Sequence, residues 1–430
     1  MARPAATLTT TSSLLLLATT GCGGEGAAAA GGVWEAVTDT VGDTVAVRTV
    51  SGSLEGEGRL VAEVEIGVLE GPPELMFGQI TAIDVGPDGS VYVVDRQVPE
   101  VRVFGPDGAH RATLGRPGEG PGELNGPDGG LAVLSDGRVL VRDPQNNRIQ
   151  VYGPDGEPLE TWPLRTGFTT SNPLWRDRDD NVHTQVLMDA EADIADWKMG
   201  LARITPDGET VDTLPVPDAD YEPPFLEARV ESEGGRGVSR TGVPFSPSES
   251  WAFHPDGYFV HGVSTAYALT LLRPEGPLRI ERVHGPVPVT AGERDEERAR
   301  VTRDMRGTRP DWRWNGPEIP HTKPPYRSVD VGRDGRIWVL VSRPALEVDD
   351  PDYDPTDPES VPDRWREPLA FDVFEADGRY LGRLDAPMEM SRYPRPVLDG
   401  GSVWAVTRDE LDVQRVVRYR VAWGGEEGAS

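Results

Sequence analysis

The 430-residue chain contains one cysteine, Cys22, so no disulfide within the chain can staple the fold. Lysine is nearly missing as well, limited to Lys198 and Lys323, while arginine is abundant; this reads as the codon bias of a GC-rich genome. A formal net charge of −29 argues against a nucleic-acid partner, whose phosphates such binders neutralise with clustered Lys and Arg, and none is expected. The acidity suits a soluble surface instead. Past the N-terminal region there is no apolar run of about 20 residues that would span a membrane. Six histidines occur without HExxH or comparable zinc spacing, and no Gly-x-Ser-x-Gly elbow is present. These absences exclude a catalytic motif written locally. They do not reach a site whose groups come from distant repeats.

What is present begins with a leader. Met1-Ala-Arg-Pro supplies a positive charge, Leu14-Leu15-Leu16-Leu17 a short apolar stretch, and Ala18-Thr19-Thr20-Gly21 the small residues before Cys22. That order is the layout of a secretory signal. The small residues before cysteine resemble the bacterial lipobox, although Thr19 stands where that pattern prefers leucine. The resemblance implies that Cys22 is diacylated and becomes the new N-terminus. Residues 1–22 are then a lipoprotein-type signal peptide and residues 23–32, rich in Gly and Ala, a flexible tether. The expected location is the cell envelope, lipid-anchored on the outer-membrane or periplasmic side.

The strongest internal signal is a series of Asp-Gly turns. They include Asp88-Gly89, Asp107-Gly108, Asp136-Gly137, Asp155-Gly156, Asp207-Gly208, Asp256-Gly257, Asp334-Gly335 and Asp377-Gly378. Asp-Gly between alternating apolar runs predicts a tight hairpin, because glycine supplies the positive φ. The intervals Asp88–Asp107, Asp136–Asp155 and Asp256–Glu275 are each 19 residues, which makes two hairpins per repeat. Four strands per repeat is a propeller blade. First-hairpin turns near residues 88, 136, 180, 256, 334 and 400 count six blades, the third through a degenerate Asp179-Asp180-Asn181. The sixth blade lacks a fourth strand at the C-terminal end. Residues 60–66 are expected to supply it, because the loop at 67–75 duplicates the loop at 115–124 that follows blade one. The fold class is therefore all-β, a six-bladed β-propeller of four-stranded antiparallel blades over residues 33–423, with 424–430 a disordered tail.

Asp143-Pro144-Gln145-Asn146-Asn147-Arg148-Ile149-Gln150-Val151-Tyr152 resembles an NHL repeat. With the Gly118–Glu123 run and Lys323-Pro324-Pro325-Tyr326, the chain resembles the bacterial six-bladed β-propeller lipoproteins. That likeness implies fold and location more than activity.

Long insertions fall at 188–199, 215–250, 286–326 and 345–367, all on the face opposite the hairpin turns. Function tends to gather on such loops. Thr290 and Glu293 form a capping box that opens a helix ending at Gly307, with Val301 and Met305 as its apolar stripe and Glu296 poised to pair with Arg300. Trp312, Trp314, His321, Lys323 and Tyr326 make an aromatic and cationic group suited to a protein, peptide or glycan ligand. Rings that merely pack the loop down give the same pattern. Asp350, Asp352 and Asp354 match the first three positions of a calcium loop, but Pro355 stands where glycine is required and Val361 where glutamate is required. A solvated acidic loop fits better, and no cofactor is expected beyond a weakly indicated divalent metal such as calcium. The leading reading is a binding module on the loop-rich face. The alternative is a metal-dependent hydrolase or lyase, lactonase-like or NHL-lyase-like, with its site at the axial channel. Nothing in the sequence sets the oligomeric state, and a monomer is the default. Deleting residues 33–66 is expected to yield insoluble protein; a soluble truncation that unfolds cooperatively in denaturant would contradict closure by the N-terminal strand.

Overall fold

The computed structural model describes residues 33–164, 168–189, 197–232, 235–357 and 360–424. The leader with Cys22, the whole tether, and the tail from 425 lie outside the described residues. So does part of the 188–199 insertion.

The fold is built almost wholly of β-strands, in four-stranded antiparallel sheets of the β-propeller type, with one α-helix among the described residues. A first unit runs through Ile80–Val85, Val91–Asp95, Glu100–Phe104 and His110–Leu114. A second spans Leu131–Pro163 and a third Trp175–Pro215, in the same sequential order. A fourth meander spans Glu249–Arg282, a fifth Tyr326–Asp385, and a last three-stranded run Val397–Trp423. Inner strands read as unbroken apolar runs because both of their faces are covered. Val91, Val93, Val94, Val139, Leu140, Val141, Ile337 and Val339 are all buried.

The turns follow the sequence. Each Asp-Gly glycine named above has φ between +80° and +89°. In the third unit Asp180 takes the left-handed position at φ 60°, a conformation that Asp and Asn tolerate better than other side chains. Its carboxylate is held by Arg176 and by the Ser135 amide, which helps to fix that geometry.

The N-terminal segment is distributed over three units. Strand β1 (Glu35–Val41) pairs with β2 (Thr44–Ser51), and β2 lies parallel to Leu278–Arg282 on the outer edge of the fourth unit. This hairpin carries no turn signal of the repeat type and was not legible beforehand. Strand β3 (Gly56–Ile66) then runs parallel to Gly382–Asp385 of the fifth unit. Its main length is antiparallel to Gln414–Trp423, with Leu60 opposite Val421 and Ile66 opposite Val416. At the junction a Cβ on Gly382 would lie 1.8 Å from the Gly56 carbonyl oxygen, so only glycine fits where the strands converge.

Candidate functional site

The first strands of the units surround a cavity of about 450 Å³. Asp84, Leu131, Arg176, Phe253, Arg333 and Leu398 come to it from six different units. Its charges are matched internally. Arg333 of the fifth unit reaches Asp84 of the first and donates to the Val85 carbonyl at 2.6 Å. Asp84 accepts from the Val133 amide of the second unit at 2.8 Å, and Arg176 of the third donates to the Val133 carbonyl at 3.0 Å. Deeper along the axis, Arg395 pairs with Asp330 at 2.8 Å. These side chains tie neighbouring units together as much as they line a hole.

The opposite face is organised by a second device. Asp95 and Asp143 end the second strands of the first two units, and both are fully buried. Asp95 accepts the Gly78, Gln79 and Gln97 amides at 2.9–3.0 Å, and Asp143 accepts those of Asn125 and Gly126 at 3.1 and 2.8 Å. Each carboxylate thereby clamps a short link to its own unit. Counting from the turns, Val186, Val263 and Val341 stand at this position in the third, fourth and fifth units. Valine cannot accept the amides of a link. Those three units are the ones beside which the long insertions lie.

Three of the insertions assemble into one body. Helix α1 (Ala291–Thr308) opens with the expected capping box: the Glu293 amide donates to Thr290 Oγ1 at 3.1 Å, and the Thr290 amide to Glu293 Oε2 at 2.8 Å. The helix packs on a hairpin, Phe225–Ser232 with Gly235–Gly242, and touches the strand Trp365–Arg366. Leu226, Ala228, Val243, Val301, Met305, Trp312 and Ile319 form a core of their own, separate from the sheets. Glu296 does not pair with Arg300 as expected. It accepts the Arg364 amide at 2.9 Å, because that link brings an otherwise unbonded donor against the helix, and Arg300 turns to Glu297. Between α1 and Trp365–Glu367 lies a cleft of about 340 Å³, edged by Arg300, Arg327 and Arg392. Burial raises the pKa of Glu297 on its wall.

The five aromatic and cationic residues do not form one open platform. Trp312 is 3% exposed and donates its indole N–H to the Glu227 carbonyl at 2.8 Å. Tyr326 is fully buried between the fourth and fifth units. Lys323 is 4% exposed and bridges Glu293 at 2.7 Å, Glu367 at 2.9 Å and the Arg343 carbonyl at 2.9 Å. It pins α1 to the link beside the cleft. Trp312 and Tyr326 act by packing, since burial removes their rings from water, whereas Lys323 is held inside because two glutamates and a carbonyl match its charge. Trp314 stays half-buried with Arg298 over its ring at 4.4 Å, and His321 is exposed. Asp350 and Asp354 satisfy backbone amides of Asp363 and Thr356, while Asp352 is exposed. Among the described residues no three His, Cys, Asp or Glu side chains gather as a metal site.

Two buried groups had no sequence signal, since each meets partners far away in the chain. Asp372, fully buried, accepts from the hydroxyls of Tyr267 and Tyr380 at 2.9 Å and pairs with Arg282 and Arg383. Arg142, also fully buried, pairs with Asp128 at 2.8 Å and donates to the Asn172 carbonyl at 2.7 Å, joining the second unit to the third.

No protein-family model and no curated protein matches this chain. Solved structures similar to it include a member of the DUF4221 family from Bacteroides vulgatus, 11% identical, covering 86% of this chain and all of that one, TM-score 0.41. Virginiamycin B lyase from Staphylococcus aureus is 12% identical over 83% of this chain and 98% of its own, TM-score 0.37. The calcium-binding protein regucalcin from Agrobacterium tumefaciens is 12% identical over 86% and 98%, TM-score 0.31. Likeness at these values assigns no activity to this chain. No helix among the described residues is long and apolar enough to cross a membrane.

Replacing Lys323 with Met removes the ammonium that the buried Glu293 and the half-buried Glu367 share. Urea denaturation is expected to show a loss of about 3–5 kcal/mol, partly restored by adding Glu293→Gln and Glu367→Gln. A second expectation concerns pH. Burial lowers the pKa of His183, His254, His261 and His284 below the ordinary 6.5, and at His183 the Asp177 carboxylate offsets part of this. The folded rings stay neutral where the unfolded chain already takes up protons. Stability is therefore full above the ordinary histidine value and falls as pH drops through it. Burial raises the pKa of Glu297 and Asp334, which act in the opposite sense at the lower pH where carboxylates titrate. Melting temperature should fall by a few degrees from about pH 7.5 to about pH 6, and by less in His261→Leu. A flat profile in both proteins would contradict this.

Proposed function

We propose that this chain is an exported six-bladed β-propeller, anchored in the cell envelope through Cys22, that binds a protein, peptide or glycan on its insertion-bearing face. Six meanders, counting β3 as the outer strand of the last, support the blade count and the closure of the ring. The Asp95 and Asp143 clamps support the NHL-like character of the first two blades.

The observation that carries the binding reading is the separate core of the insertions. Loops that merely drift do not bury Leu226, Met305, Trp312 and Ile319 together or lock a lysine between two glutamates. A rigid body on one face, enclosing a cleft beside the blades, is the form of a preorganised binding site. The cleft and its edge replace the aromatic group as the contact surface, with Trp314 and His321 as outlying members.

The axial cavity favours a second reading, a hydrolase or lyase site, because its lining residues come from all six blades and Asp84, Asp177, Asp180 and Asp330 stand among them. Against it, all four of those carboxylates are already matched by arginines or by His183.

Defined glycan and peptide arrays test the first reading. A ligand found there should bind about tenfold more weakly to Arg300→Glu, at the cleft, and unchanged to Arg178→Glu, on the turn side. The reverse pattern would move the site to the channel, as would a stoichiometric divalent metal in the purified protein.

A further inference from the structure

Arg392 belongs to the minority of arginines in this protein that meet no carboxylate. In an acidic chain most guanidinium groups meet a carboxylate, yet among the described residues Arg392 has none within salt-bridge distance. It is half-buried, its hydrogen bond is to Ser328 Oγ at 3.3 Å, and its guanidinium lies 5.9 Å from the ring of Tyr393. The nearby Asp330 is taken by Arg395 at 2.8 Å. Arg327, the other cation at this place, touches an acid only at 3.8 Å, and that acid, Glu367, is held by Lys323 at 2.9 Å. Burial and the charge of Arg327 both act against the charged form of Arg392. Two like charges stand together while the acids nearest them, Asp330 and Glu367, are engaged more closely by Arg395 and Lys323, and a bound anion would lower the free energy of that arrangement.

The position fits a ligand. Arg392 lines the cleft beside α1 and also a smaller cavity of about 50 Å³ that runs to Ser250, Ser328 and Tyr393 at the mouth of the axis. Tyr393 is 55% exposed beside the cation. An arginine fork next to an exposed aromatic ring suits a planar carboxylate attached to a ring or apolar group. The surrounding acidity repels polyanions, which limits the ligand to one or few charges.

We propose that Arg327, Arg392 and Tyr393 form a binding site for an organic carboxylate at the insertion-side mouth of the propeller. This rests on the binding-module reading and names the chemistry of its ligand.

Titration calorimetry of the purified chain tests it with four probes: methyl β-D-glucuronoside, the neutral methyl β-D-glucoside, an N-acetyl dipeptide with a free C-terminus, and its amide. Saturable binding of either acid, and not of its neutral partner, is expected. Binding of the glucuronoside alone identifies a sugar source, and binding of the dipeptide alone a peptide terminus. Arg392→Ala should weaken binding at least about tenfold, and Arg392→Lys should recover only part, lacking the fork. Arg327→Ala, at an exposed side chain, repeats the test should Arg392→Ala fail to fold. The proposal is overturned if no acid binds, if the neutral partners or inorganic phosphate bind equally well, or if both variants bind like the parent. An array ligand that still depends on Arg300 but ignores Arg392 would overturn the carboxylate site while leaving the binding module standing.

Discussion

Strand β3 is the element on which the rest of the architecture depends, because it hydrogen-bonds to two sheets at once. Its first residues lie parallel to the outer strand of the fifth unit and its remainder antiparallel to the last strand of the chain. Three backbones therefore meet in a space that admits no Cβ at Gly382. The segment before β3 adds a hairpin to the fourth unit. A stretch of about thirty residues thus ties one end of the chain to three units, covering edges that would otherwise offer unpaired amides. Near the axis the same purpose is served by side chains, with Arg333, Asp84 and Arg176 joining units across the middle.

On the insertion side the short links of the first two units are each fastened by one buried carboxylate. Where Asp95 and Asp143 are present, the link is short and its amides are fastened. Where valine occupies that place, the backbone must find other partners, and the chain has room to grow. The grown segments bury a small core and are fastened by Lys323, whose two glutamates offset the cost of hiding an ammonium group. The insertions are held together for that reason, and the cleft that Arg392 lines lies at their foot.

Much of the fold was legible because hairpins are local. Asp-Gly at regular intervals predicts turns, and even Asp180 kept the geometry without glycine. The capping box at Thr290 was legible for the same reason. The candidate site was read less well. Trp312, Lys323 and Tyr326 look like an exposed group in one dimension, since residues of those types within 15 positions say nothing about which side faces water. Glu296 has Arg300 four residues on, yet it bonds a backbone amide 68 residues away.

The sequence by itself determined the repeat, the turn chemistry and the helix start, since each depends on residues a few positions apart. It also marked where loops lengthen, whereas the link amides that Asp95 and Asp143 hold became visible only in space. Tertiary structure decided which charges are matched. Asp372 draws four partners from two units, while Arg392 finds no acid among the described residues. Charge pairing between sheets joins residues far apart in the chain, as Arg333 and Asp84 show, and no local pattern records those distances.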